Sequence, residues 1–320
     1  MSTLSRREFG KTVIAAVPLA AAARSIGLAA AAPVPFGVST SSFRDLPRVL
    51  GRDNVDDVLR ALQAVRATRV ELALANVEPA PPNTAPFMAG SAAYPRRVVF
   101  TPEQIDAINA RAREDLRTWR AQSGTKPFED VRAKFESAGI TVHACALAYD
   151  DTFTDEEIDT TFRQVKALGV ATVSSPMTMV TARRLVPFAE RHRMTIAIHN
   201  QVDGNAAGSI ATPQLKDALA LSPSFLLKLD IGNLTASNCD AVAELGDYRS
   251  RVSYVLVRDR LRNGGTSQLF GEGDTPIAGV LGALKASGAA IPAIVEYDYV
   301  GLHSSVEEVT TSLAFMASIK

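Results

Sequence analysis

Three short apolar runs end in side chains able to bind a cation or move a proton. They are Thr195-Ile196-Ala197-Ile198-His199, Phe225-Leu226-Leu227-Lys228-Leu229-Asp230 and Ala293-Ile294-Val295-Glu296-Tyr297. Each has the length and aliphatic content of a strand. Successive side chains on a strand face opposite ways. If Ile196, Ile198, Leu229 and Val295 face a packed layer, then His199, Lys228, Asp230 and Glu296 face the other side, with Asp298 following Glu296. Glu71 joins them if Val70 and Leu72 face the layer. One imidazole and two carboxylates, His199, Asp230 and Glu296, form a ligand set for a divalent metal such as Mn²⁺, Mg²⁺ or Zn²⁺. The same residues also read as an interior histidine and two salt-bridged acids. Spacing leaves both open.

The elements that must position them fill a chain of 320 residues, long enough for one large α/β barrel or two medium domains. The 34 Lys and Arg match 34 Asp and Glu, so no surplus of positive charge supports a grip on nucleic acid. Two cysteines, Cys145 and Cys239, exclude a disulfide framework, and four histidines exclude a multi-zinc centre. Strand-like runs recur at 36–39, 69–74, 140–147, 171–174, 195–199, 225–230, 254–258 and 293–297, with helical patterns between them. Thr101-Pro102-Glu103-Gln104 and Thr154-Asp155-Glu156-Glu157 have the form of capping boxes, and Thr212-Pro213 opens another helix. Strand and helix in alternation predict parallel strands with right-handed crossovers, and eight units predict a single closed (β/α)₈ TIM barrel over residues 32–320. A doubly wound open sheet is the other option, but no Gly-x-Gly-x-x-Gly follows the first strand. Pro79, Pro81, Pro82, Pro86 and Pro95, with Gly90 and Tyr94, mark a loop after the second strand that reads as a lid or as a rigid surface wrap.

Other residues take plainer readings. His143 reads as a packed interior histidine, His192 as a solvated residue near a helix end, and His303 as a cap for the last helix. Trp119 reads as a packing anchor, and the two cysteines as free thiols more readily than as a pair.

Four segments then resemble the xylose isomerase-like TIM-barrel superfamily of sugar phosphate isomerases and epimerases. They are Ile196 to Gln201, Leu229-Asp230-Ile231-Gly232-Asn233, Val257-Arg258-Asp259-Arg260, and Ile294-Val295-Glu296-Tyr297; the run Phe270 to Ile277 is also typical. The likeness covers most of residues 36–318. It implies four ligand positions, which fall on His199, Asp230, Leu256 and Glu296. Leu256 cannot bind a metal, and Gln201 and Asn233 stand where histidines are usual. On an enzyme reading Glu296 is the expected base and Arg258 steadies a substrate oxygen, the two catalytic candidates, while Glu71, Asn200, Lys228, Asn233 and Asp259 are the expected substrate-binding residues. The expected activity is isomerisation, epimerisation or lysis of a small carbohydrate by proton removal next to a carbonyl, assisted by the metal. A non-catalytic carbohydrate-binding barrel that has lost its metal is the alternative. A nuclease of the same superfamily is excluded by the few histidines and the neutral charge. With Leu256 in a ligand position, Lys228 is expected either to place its ammonium among Asp230 and Glu296 or to pair with an acid deeper in the barrel.

Residues 1–31 read as an address. Ser5-Arg6-Arg7-Glu8-Phe9-Gly10-Lys11 is a twin-arginine pattern, followed by an apolar run from Thr12 to Ala23 and small residues at 29–32. The run is too short for a comfortable membrane span. Cleavage near Ala31 removes Arg6, Arg7, Lys11 and Arg24 against Glu8, leaving a net charge of −3. The expected partner is the twin-arginine export machinery, and the expected location is periplasmic or secreted. Replacing Arg6 and Arg7 by Lys preserves charge but removes the signal. The precursor should then stay in the cytoplasm on cell fractionation, and an unchanged periplasmic yield would contradict the reading.

Overall fold

Eight parallel strands close into a barrel in a computed structural model that describes residues 33–82, 100–203 and 208–319. The leader pattern at 1–31 lies outside the described residues, as do Pro86, Gly90, Tyr94 and Pro95 of the proline-rich loop. The strands are β1 (Phe36–Ser39), β2 (Arg69–Ala73), β3 (Thr141–Ala146), β4 (Thr172–Ser175), β5 (Thr195–His199), β6 (Phe225–Asp230), β7 (Val252–Val257) and β8 (Ala293–Val295). Each pairs with its neighbours in sequence, and β8 closes on β1. Closure rules out the open doubly wound sheet.

The helices are α1 (Val55–Ala64), α2 (Pro102–Ser123), α3 (Lys126–Ser137), α4 (Asp155–Ala167), α5 (Met179–His192), α6 (Leu215–Ala220), α7 (Ile231–Ala236), α8 (Ala241–Tyr248), α9 (Ile277–Ser287) and α10 (Ser305–Ser318). At least one follows each strand, as parallel strands require. Among the described residues no helix is long and apolar enough to cross a membrane. The caps act where the sequence places them: Thr101 closes a full capping box with Gln104, and the Thr154 side chain accepts from the Glu157 amide. Thr212-Pro213 opens a 3₁₀ turn rather than a helix, with α6 beginning at Leu215. Ser304, not His303, caps α10. His192 is not solvated, since its Nε2 lies 2.8 Å from Asp159 Oδ1 and its ring stacks on Phe162. His143 and Trp119 pack as expected, against Tyr254 and Phe128 respectively, and both cysteines are free.

Period-two alternation divides the strands into two cores. Val70, Leu72, Ile196, Ile198, Leu227, Leu229, Val255, Val257 and Val295 join the large core under the helices. Ala144, Ala197, Tyr254, Leu256 and Ile294 form a separate cluster inside the barrel. Two register shifts break the ladder, one between Val70 and Glu71 against β3 and one between Leu227 and Lys228 against β7. Such irregularities re-aim a side chain, and here Glu71 and Lys228 come to face each other. Lys228 Nζ donates to Glu71 Oε1 and Oε2 at 2.8 and 2.9 Å. Ser174 Oγ donates to Oε1 at 2.6 Å, and the Tyr254 hydroxyl donates to the same oxygen.

Burial alone would raise the Glu71 pKa, but the Lys228 charge and these donors lower it to about 2 from its ordinary 4.5. A depressed carboxylate contributes stability above its unfolded pKa and loses it as pH falls through the folded one. The contribution is therefore complete above pH 4.5 and disappears towards pH 2. Glu71→Gln leaves Lys228 buried without a counter-charge and should cost about 3–5 kcal/mol in urea unfolding. Glu71→Gln/Lys228→Met should recover most of that loss and flatten the acid dependence between pH 4.5 and 2. A single variant as stable as wild type would contradict the pairing.

Candidate functional site

Asp230 ends β6 and begins α7, and His199, Asn200, Asn233 and Arg258 are arranged around it. Its carboxylate is fully buried. Oδ1 accepts the Asn233 amide at 2.9 Å and so caps α7. Oδ2 accepts from Arg258 Nη2 and lies 2.9 Å from His199 Nε2. The backbone is fixed as well: Asn200 donates Nδ2 to the Asp230 carbonyl at 3.1 Å and accepts the Asp230 amide at 2.8 Å. Asn233 Nδ2 donates to the Asn200 carbonyl at 2.8 Å, tying the end of β5 to α7. Gly232 is required at this crossing, because a Cβ there would stand 3.0 Å from both Arg258 Cβ and the Arg258 carbonyl oxygen.

Arg258 follows β7 and is 9% exposed. Besides Asp230 it donates Nη1 to Asp298 Oδ2 at 2.5 Å and Nη2 to Asn233 Oδ1 at 2.7 Å, and it lies 4.0 Å from Glu296 Oε1. Burial alone would lower its pKa, but the charges of Asp230, Glu296 and Asp298 raise it further above the ordinary arginine value. Burial would likewise raise the Asp230 carboxyl, yet Arg258 and the His199 hydrogen bond hold it well below the usual carboxylate range. His199 moves the other way: burial, then the positive charge of Lys228, lower its pKa despite Asp230.

A cavity of about 260 Å³ opens at the strand ends, and Ser41, Ala146, Ser174, His199, Lys228 and Glu296 are among its walls. Lys228 and His199 are register partners on β6 and β5. An ammonium has three N–H groups; two of those on Lys228 hold Glu71, which leaves the third for the cavity.

The structure places the sequence-derived residues unevenly. His199, Lys228 and Glu296 line the cavity. Glu71 lies beneath Lys228, and Asn200 and Asn233 clamp backbone. Asp259 accepts amides from Gly271, Gly273 and Thr275 at 2.8, 3.0 and 3.1 Å, organising that loop, and a Cβ on Gly273 would collide with its carboxylate. Of the two placements left open for Lys228, the structure has the second. Lys228 does not sit among Asp230 and Glu296; it pairs with the deeper acid, and the cation between those two carboxylates is Arg258. Leu256, two residues before Arg258 on the same inward face, is fully buried against the barrel interior. That shared face is the signal for Arg258: with the strand-seven ligand position apolar, it is the nearest charge on the strand.

A divalent ion does not fit this donor set. Both Asp230 oxygens are engaged, the Asp230–His199 hydrogen bond joins two of the ligands it would need, and the guanidinium already bridges to Glu296 and Asp298. Among the described residues no three His, Cys, Asp or Glu side chains are grouped to hold a metal.

No family model and no curated protein matches the sequence. Solved structures do. A xylose isomerase domain protein from Planctomyces limnophilus is 13% identical, over 90% of this chain and 96% of that one, at a TM-score of 0.57. An L-ribulose 3-epimerase is 12% identical, over 89% and 93%, at 0.59. A probable 3-DHS dehydratase, AsbF, from Bacillus anthracis is 9% identical, over 90% and 100%, at 0.61. The chain has the xylose isomerase-like TIM-barrel fold.

Arg258→Ala should convert this cage into a cation site. Calorimetric titration with Mn²⁺ should show no binding to wild type, binding to Arg258→Ala, and tighter binding to Leu256→His/Arg258→Ala. The single variant leaves Asp230 uncompensated and should lose about 3–5 kcal/mol of stability, part of which Mn²⁺ restores. Tight Mn²⁺ binding by wild type would overturn the assignment.

Proposed function

We propose that this chain is a sugar or keto-sugar isomerase, epimerase or lyase that removes a proton next to a carbonyl without a bound metal ion. The observation that carries the reading is the cavity itself, where the Lys228 ammonium has an N–H to offer and the Glu296 carboxylate stands on the wall. The solved structures of this fold that carry the names of an isomerase domain, an epimerase and a dehydratase support the same class.

The steps follow from the side chains. Lys228 donates to the substrate carbonyl oxygen, and its charge holds the negative charge that develops there, the role of a pre-positioned oxyanion donor. Glu296 takes the proton from the neighbouring carbon. The resulting enediolate is protonated at the adjacent carbon in an isomerase or at the same carbon in an epimerase; a lyase instead expels a neighbouring hydroxyl. Arg258 holds Asp230, Asp298 and Glu296 in place from behind. A cavity of about 260 Å³ is just under the usual span of about 300–1,000 Å³ for ligand pockets, which suits one small sugar. In the same reading the enzyme works outside the cytoplasm after twin-arginine export.

The misfit of a divalent ion favours a second reading, a carbohydrate-binding barrel without chemistry. Solvent exchange separates them. In deuterated water, with a panel of ketopentoses and ketohexoses, the wild-type protein should give product carrying deuterium on the carbon beside the carbonyl. Glu296→Gln should slow product formation by about 10²-fold or more. Sugar binding without exchange would establish the second reading, and unchanged product formation in Glu296→Gln would remove that residue from the base role.

A further inference from the structure

We propose that the substrate of this cavity is a ketose whose far end is deoxygenated, a methyl-terminated sugar, and that Ala73 and Ala146 select it. The proposal rests on the proton-abstraction reading above for the placement of the reacting carbons, and it names the substrate class of that site.

The cavity wall is divided around the barrel. Its charged groups come from one side: His199 ends β5, Lys228 is on β6 and Glu296 follows β8. The opposite side is built from the ends of β2, β3 and β4. There the wall consists of Ala73, Ala146, Leu147, Ala148 and Pro176, with Ser174 and Ser175. Strand periodicity puts the small residues inside. Leu72, Cys145 and Val173 belong to the core under the helices, so Ala73, Ala146 and Ser174 face the barrel axis. Ala73 pairs with Ala146 and Ala146 with Ser174, so the three stand side by side at one level.

The second observation is that the polar atoms on this side are spent. A serine hydroxyl has one hydrogen to give. Ser174 Oγ gives its own to Glu71 Oε1 at 2.6 Å, and Ser175 Oγ gives its own to the Pro176 carbonyl at 2.9 Å. Backbone amides are engaged too: that of Ala73 donates to Thr40 Oγ1 at 2.9 Å, and that of Leu147 to the Ser174 carbonyl at 3.0 Å. Ser41, the remaining hydroxyl on the wall, lies in the turn after β1, between the two halves. Among the described residues that line it, the β2–β4 side carries no Lys or Arg and no unspent hydroxyl hydrogen. A substrate with its carbonyl at Lys228 and the adjacent carbon at Glu296 extends the rest of its skeleton across the cavity to this side. A terminal hydroxyl there would exchange water for aliphatic carbon, and a terminal phosphate would meet no cation. A methyl group instead buries apolar surface against two alanines.

Ketoses that differ only at the terminal carbon read this preference directly. Wild type is assayed with a panel of 2-ketohexoses, their 6-deoxy counterparts and fructose 6-phosphate. In each pair that reacts, kcat/KM should be about 10- to 100-fold higher for the 6-deoxy sugar, and the phosphate should not react. Ala73→Ser and Ala146→Ser each add a hydroxyl to the wall. Each should narrow the ratio, by raising kcat/KM for the parent sugar and lowering it for the 6-deoxy one. Equal rates within a pair, faster turnover of the hydroxylated or phosphorylated sugar, or a ratio that neither serine variant changes would overturn the inference. Any of these leaves the proton-abstraction reading standing. If no ketose reacts, that reading fails and calorimetry decides the inference alone. Tighter binding of 6-deoxy sugars by wild type, lost in Ala146→Ser, supports it; equal affinity within pairs, or no binding of any 6-deoxy sugar, overturns it.

Discussion

A fully buried carboxylate must be neutralised from inside the protein, and the Asp230 charge sets the arrangement of everything around it. Removing an anion from water is costly unless cations and donors replace the lost hydration. Here the replacement comes from a guanidinium on β7, an imidazole on β5 and the first turn of α7. Each partner belongs to a different element, so meeting the electrostatic demand also fixes the ends of three neighbouring strands. Arg258 extends the constraint to the residues after β8 through Asp298 and Glu296.

Beneath this cage lies a second ion pair, Glu71 with Lys228, closed by Ser174 and Tyr254. The two layers divide the work. The upper one holds His199 and Glu296 on the cavity wall, and the lower one holds an ammonium at its base. The positive charge at the base of the cavity is thus covalently attached and cannot be lost to a chelator. It is also weaker than a divalent ion, which suits proton transfer beside a carbonyl better than chemistry that needs a strong Lewis acid. The network around Asp230 allows little local adjustment, since each hydrogen bond there serves two elements.

Much of this was legible in the sequence because strands have a period of two. The inward facing of Glu71, His199, Lys228, Asp230 and Glu296 follows from the apolar residues between them, and β1, β5 and β6 begin and end where the runs predict. Which inward groups pair was not legible. The Glu71–Lys228 contact joins residues far apart in the chain, and it depends on two register shifts that local patterning does not report. Arg258 was singled out for a substrate oxygen, but its lodging among three carboxylates depends on where β8 ends. Asp259 and the two asparagines were expected to bind substrate. Their engagement with backbone amides and carbonyls becomes visible only once the loops are folded.

The central claim is that the Arg258 guanidinium takes the place among Asp230, Glu296 and Asp298 that a metal ion would need. Elemental analysis of wild-type protein, purified without chelator and after growth with added manganese and zinc, tests it most directly. The account predicts metal far below one ion per chain in protein that is fully folded. A stoichiometric ion that survives gel filtration, and is lost together with the fold in Asp230→Asn, would contradict it.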